Sequence, residues 1–133
     1  MKKLELKDDG FCFVCGKKNR FGLKIDFTLE KPDKISCEFT PQKQHQGYAN
    51  IVHGGIIGLI LDEAMVQLLW KQGKLAVTAD FQMRLREAAY TGEKLNFCAR
   101  ITKRKKRLIH TEATCCNMRG GIIAHAQAKC VLV

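Results

Sequence analysis

A chain of 133 residues with 46% hydrophobic and 27% charged side chains is sized for one ordinary domain, and its composition excludes a disordered chain. Twenty-three basic residues against thirteen acidic ones leave a net charge of +10, which suits an anionic partner: nucleic acid, a membrane surface or a phosphorylated small molecule. No apolar run approaches the roughly 20 residues that span a bilayer, and Met1 to Leu6 alternates in charge without the apolar stretch of a signal peptide, so the cytoplasm is the expected location.

Residues 1–20 read as an N-terminal extension packed on the rest. They hold Cys12-Phe13-Val14-Cys15-Gly16, the one metal-like spacing among seven cysteines. A structural zinc site usually draws on a second pair, and no second CxxC exists. A tight N-terminal turn is therefore the favoured reading, over a zinc ion shared between subunits or a redox pair. The other five, Cys37, Cys98, Cys115, Cys116 and Cys130, fall in strand-like runs, where reduced cysteine behaves as a small apolar residue.

Alternation begins with Leu23, Ile25, Phe27 and Leu29, continues through Ile35, Cys37 and Phe39, and predicts two half-buried strands joined by a turn at Lys31-Pro32-Asp33-Lys34. A polar loop from Gln42 to Asn50 follows. Gly54 to Lys71 then loses period two, is apolar almost all round, and predicts a buried helix stopped by Gly73. Four more alternating runs come after it. In the first, Leu75, Val77, Ala79, Phe81, Met83 and Leu85 face one way, and Thr78, Asp80, Gln82 and Arg84 the other. The others are led by Leu95, Ile109 and Ile122, with turns at Thr91-Gly92, around Lys105, and at Gly120-Gly121. The order predicts an α+β domain over residues 1–133, an antiparallel sheet wrapped around one long central helix.

His53-Gly54-Gly55 opens that helix. Its first-turn N–H groups lack helical partners and carry the positive end of the dipole, and glycine lets a ligand come close. A carbonyl oxygen placed there would be polarised. Asp62 is a carboxylate in the middle of an apolar helix, where an ionised group is costly without a partner or a task. It could deprotonate a water or attack an acyl carbon. Glu63 points about 100° away from it and reads as a paired or solvated charge, or as a residue lining the substrate. Gly54 and Asp62 are eight residues apart, roughly 12 Å along one helix. They cannot serve one carbonyl from the same chain, so joint action predicts a dimer with two antiparallel helices.

The strand-strand-helix-four-strand order, with His53-Gly54-Gly55 and an acid nine residues after the histidine, resembles the hot-dog acyl-CoA thioesterases of the phenylacetyl-CoA-thioesterase-like subgroup. Cys12 to Gly16 followed by Gly22-Leu23, and Gly47-Tyr48 through Gly55, are similar to segments of that subgroup. The resemblance implies hydrolysis of an acyl-CoA with no cofactor and no metal. It implies that Gly54 supplies an N–H to the thioester oxygen, that Asp62 is nucleophile or general base, that Thr78 orients water or acid, and that His53 lines the site. Some members carry Asn or Gln six residues before the histidine; this chain has Gly47 there, with Asn50 nearby. Gly47, Asn50, Gly55 and Glu63 are the expected substrate-lining residues. Arg84 and the basic segment holding Arg104 and Arg107 are the expected contacts for the CoA phosphates. The expected assembly is a homo-oligomer, at least a dimer and in full a tetramer, without nucleic acid or membrane; the polar strand faces carry no row of aromatic residues for base stacking. A non-catalytic acyl-CoA sensor and a hot-dog hydratase or dehydratase using His53 are the alternatives.

Overall fold

The structure, a computed structural model, describes residues 4–133. One six-stranded antiparallel sheet has the order β1-β2-β4-β5-β6-β3, from β1 (Thr28–Lys31), β2 (Lys34–Phe39), β3 (Ala76–Leu85), β4 (Leu95–Lys105), β5 (Leu108–Asn117) and β6 (Ile122–Leu132). Helix α1 (Gly54–Lys71) packs along its inner face, against β2, β3, β4, β5 and β6. Ile57, Ile60, Leu61, Met65, Leu68 and Leu69 on the helix meet Ile35, Leu95, Phe97, Ile109 and Ile123 on the sheet, all essentially free of solvent. This is the predicted hot-dog arrangement, and a helix apolar on most sides is what such a wrapped position requires. The helix stops as expected: Gly73 takes φ 79° and the Lys74 N–H bonds Leu69 O at 2.9 Å, a Schellman ending. No helix among the described residues is long and apolar enough to cross a membrane.

Three departures from the sequence reading have local causes. The first strand is Thr28–Lys31, not Leu23 to Leu29. Leu23 and Ile25 spend their N–H groups on Phe13 O and Val14 O, so this stretch pairs with the N-terminal segment rather than with the sheet. Ile25 and Phe27 are buried all the same.

In β3, Thr78 pairs with Cys130 and Asp80 with Lys129, leaving Ala79 as an extra residue. That bulge reverses the alternation. Thr78 therefore shares the helix-facing side with Phe81 and Met83, and does not oppose them.

In β6, Cys115 pairs with Ala124 and Cys116 with Ile122, so Ile123 is the inserted residue. Ile123 is buried and Ile122 is 46% exposed, the reverse of the expected row.

Candidate active site

The helix lies close to β3, and small residues make the approach possible. Gly54, Gly58 and Asp62 follow one another at four-residue spacing and therefore form one stripe of the helix. A Cβ on Gly54 would stand 2.8 Å from Leu85 Cδ1, and one on Gly58 3.1 Å from Met83 Cε. The third member of the stripe meets Thr78: the Thr78 hydroxyl donates to Asp62 Oδ1 at 2.8 Å. Strand β3 is an edge of the sheet, so this stripe lies beside an open sheet edge.

Asp62 is half-buried. Burial raises its pKa above the ordinary 3.8; the Thr78 hydrogen bond opposes the rise, and the neighbouring Glu63 charge adds to it. The carboxylate is thus partly stripped of water and held in one orientation, which suits a base or a nucleophile.

At the N-terminal end of α1, His53 is the cap residue, and its Nδ1 accepts from the Gly55 N–H at 2.9 Å. An Nδ1 that accepts leaves the imidazole proton on Nε2. The carbonyl of His53 receives the Ile56 N–H at 3.0 Å. Among the described residues nothing accepts from the Gly54 N–H, so of the first two helical donors one is capped and one is available.

The loop ahead of the helix is a short antiparallel turn, with Gln46 bridged to Val52 and the Gly47 N–H bonded to Ile51 O at 2.8 Å. Asn50 sits at its tip with φ 65°, a conformation asparagine tolerates; its N–H bonds Gln46 Oε1 and its carbonyl accepts from Thr91. A cleft of about 560 Å³ opens here, lined among others by Gly47, Tyr48, His53, Gly54, Leu85 and Arg86. Gly47 and Gly54 thus line one cleft, whereas Asn50 and Gly55 are not among the residues lining it. Tyr48, Leu85 and Arg86 are lining residues that the sequence reading omits; an aromatic residue next to Gly47 in the helix-entry loop was the clearest available signal, for Tyr48.

The remaining expected residues lie elsewhere. The Glu63 carboxylate turns to Cys12 Sγ, 3.3 Å away, and receives Gln67 Nε2 at 3.3 Å. It does not join Asp62 and Thr78. Arg104 donates to Gln72, the C-terminal cap of α1, and Arg107 donates twice to Leu132 O. Both therefore stand at the opposite end of the helix from Gly54 of their own chain. Arg84 is exposed on β3, across from His125.

The sequence model of the thioesterase superfamily matches residues 49–124, more than half of the chain, and the chain belongs to that family. It is a thioester hydrolase on a hot-dog fold. Over 100 residues it is 26% identical to acyl-coenzyme A thioesterase 13 of Homo sapiens, covering 74% of this chain and 71% of the relative. The E. coli PaaI protein from the phenylacetic acid degradation operon superposes with a TM-score of 0.79 at 19% identity, over 84% of this chain and 80% of that one. A hypothetical thioesterase from Streptococcus pneumoniae TIGR4, solved with coenzyme A, superposes with a TM-score of 0.78 at 12% identity, over 82% and 85%.

Proposed function

We propose that the chain hydrolyses acyl-CoA thioesters at a site built by two subunits. The single observation that carries this is the half-buried Asp62 carboxylate fixed by Thr78 at 2.8 Å, on a helix whose first N–H is open. Asp62 takes a proton from water, or attacks the acyl carbon itself, and Thr78 sets its orientation. The oxyanion that develops on the thioester is met by the Gly54 N–H and the helix dipole. Its collapse breaks the C–S bond and releases the CoA thiolate, which takes up a proton; on the covalent route water then hydrolyses the acyl–Asp62 anhydride to the free acid.

The two groups come from different chains. Along one unbroken helix they stand roughly 12 Å apart, too far to share a reacting carbon. Two helices running antiparallel about a two-fold axis place Asp62 of each beside Gly54 of the other. The exposed edge of β3, ten residues long and bordering the Gly54-Gly58-Asp62 stripe, supports such a contact, since a long unpaired edge invites a partner strand. Exposed Leu85 and Tyr48 border the same cleft and would be covered there.

This arrangement also sorts the basic residues. Arg104 lies beside Gln72, ten residues beyond Asp62 and roughly 15 Å along the same helix. An extended pantetheine arm leaving the thioester at Asp62 can reach Arg104 and Arg107 of that subunit. The CoA phosphates then meet cations far from the Gly54 of that chain, and nearer to the Gly54 of its partner, one pantetheine length away.

Steady-state hydrolysis of a panel of acyl-CoAs, with thiol release followed by a chromogenic reagent, tests the proposal. Asp62→Ala should lower kcat by about 10²–10⁴-fold. A kcat within a factor of about ten of wild type removes Asp62 from the chemistry.

A further inference from the structure

Cys12, Cys15 and Glu63 each offer a metal-ligating atom, and the three atoms lie within 4.8 Å of one another. The set unites an N-terminal turn with a helix residue 51 positions later. We propose that it is a binding site for one zinc-class divalent ion, held by the thiolates of Cys12 and Cys15 and the carboxylate of Glu63, with water as the fourth ligand.

The distances fit. A tetrahedral ion with Zn–S of about 2.3 Å and Zn–O of about 2.0 Å holds its ligand atoms roughly 3.5–3.8 Å apart. Cys12 Sγ is already 3.3 Å from Glu63 Oε2, so the site closes with small side-chain movements. The donor set is also the right one: two soft thiolates with a single carboxylate favour zinc over calcium or magnesium, which prefer all-oxygen cages.

The turn is shaped for this. The Cys15 N–H points at Cys12 Sγ at 3.5 Å, and the Gly16 N–H closes the turn on Cys12 O at 2.8 Å. A Cβ on Gly16 would lie 2.4 Å from Cys12 N and 2.5 Å from Gly10 O, so only glycine permits the fold-back that brings both sulfurs to one side. Gln67, one turn after Glu63, places its Nε2 3.5 Å from Cys15 Sγ and 3.3 Å from Glu63 Oε2. An amide donating to both ligands orients them as outer partners of a metal do.

The charge balance points the same way. Glu63 forms no ion pair among the described residues, and no basic side chain there salt-bridges the cluster. Three potential anions are gathered without a cation, an arrangement that a divalent ion neutralises. Cys12, Cys15 and Glu63 are all half-buried, so an ion can enter from solvent. The role is structural: the ion fastens residues 10–25 to the helix one position after Asp62, and it takes no part in the hydrolysis.

The experiment is metal analysis of the reduced full-length chain, purified without a metal column and dialysed against metal-free buffer after loading with zinc. Wild type should retain about one zinc per chain. Cobalt(II) in its place should give tetrahedral d–d bands and a thiolate-to-cobalt charge-transfer band. Cys12→Ser and Cys15→Ser should each lose the ion, Glu63→Gln should bind it more weakly, and Cys98→Ser should retain it. Should either serine variant fail to fold, zinc on the wild type should still shield Cys12 and Cys15, and no other cysteine, from iodoacetamide as read by peptide mass. Absence of retained zinc or cobalt in wild type, full zinc in Cys12→Ser, or no shielding of the pair would overturn the site.

Discussion

Thr78 reaches Asp62 only because Ala79 is inserted into β3. The bulge between Thr78 and Asp80 turns the threonine toward the helix, where its hydroxyl donates to Asp62 Oδ1 at 2.8 Å. That bond favours the ionised carboxylate and opposes the rise that burial imposes on the Asp62 pKa. Thr78→Val keeps the shape and removes the bond. The Asp62 pKa should then climb further, so the acid limb of the kcat/KM profile should move to higher pH. A limb unmoved by Thr78→Val would separate Thr78 from the ionisation that controls the rate.

Asp62 should weaken the protein it serves. Its carboxyl titrates higher in the folded chain than the ordinary 3.8, because burial disfavours the charge. A carboxyl raised on folding contributes no penalty below its unfolded pKa. The penalty grows as pH rises from the unfolded value toward the folded one, and is complete above the folded value. Asp62→Asn can still accept from Thr78, so it should match or exceed wild type in Tm at pH 7 while losing thioesterase activity. At pH 3 the stability advantage should vanish. A marked loss of Tm at pH 7 would mean that the charge is better compensated than its surroundings indicate.

His53 has a structural task separable from any catalytic one. Its Nδ1 satisfies the Gly55 N–H. His53→Ala should destabilise the chain by about 0.5–2 kcal/mol, the usual cost of a lost helix cap. His53→Asn should recover most of that, because asparagine caps well. Urea denaturation of both variants measures it; equal midpoints for the two would show that the cap adds nothing.

Much of the fold was legible in the residues. Helix α1 begins at Gly54 and ends at Lys71 as the loss of period two and Gly73 imply, and strands β2, β4 and β5 carry their buried rows where alternation puts them. The bulges at Ala79 and Ile123 were not legible: Ala79 lies between polar Thr78 and Asp80, so alternation runs through it unbroken, and Ile122-Ile123 offers two equal candidates for the buried position. Thr78 was therefore placed on the solvent side by alternation, and on the acid only through family resemblance. Glu63 shows the same limit: its approach to Cys12 joins segments 51 residues apart, and no spacing rule spans that distance. The cysteine pair was legible as a turn, but the carboxylate that completes the cluster was not.

If Asp62 of one subunit works with Gly54 of another, mixed oligomers of two inactive variants should recover activity. Gly54→Pro deletes the proposed N–H donor at the first helical position, where proline is tolerated, and His53 already has the extended φ −60°, ψ 128° that precedes a proline. Gly54→Ala, which brings the same Cβ to 2.8 Å from Leu85 Cδ1 but keeps the N–H, is the control for crowding and should stay well above the proline variant in kcat. Losing one such donor should lower kcat by about 10²–10³-fold. Asp62→Ala and Gly54→Pro should each be nearly inactive alone. Co-folded in equal amounts, half of the dimers carry one intact site of two, so roughly a quarter of wild-type activity should return. No recovery in verified mixed dimers, with both parents inactive, would contradict the two-subunit site.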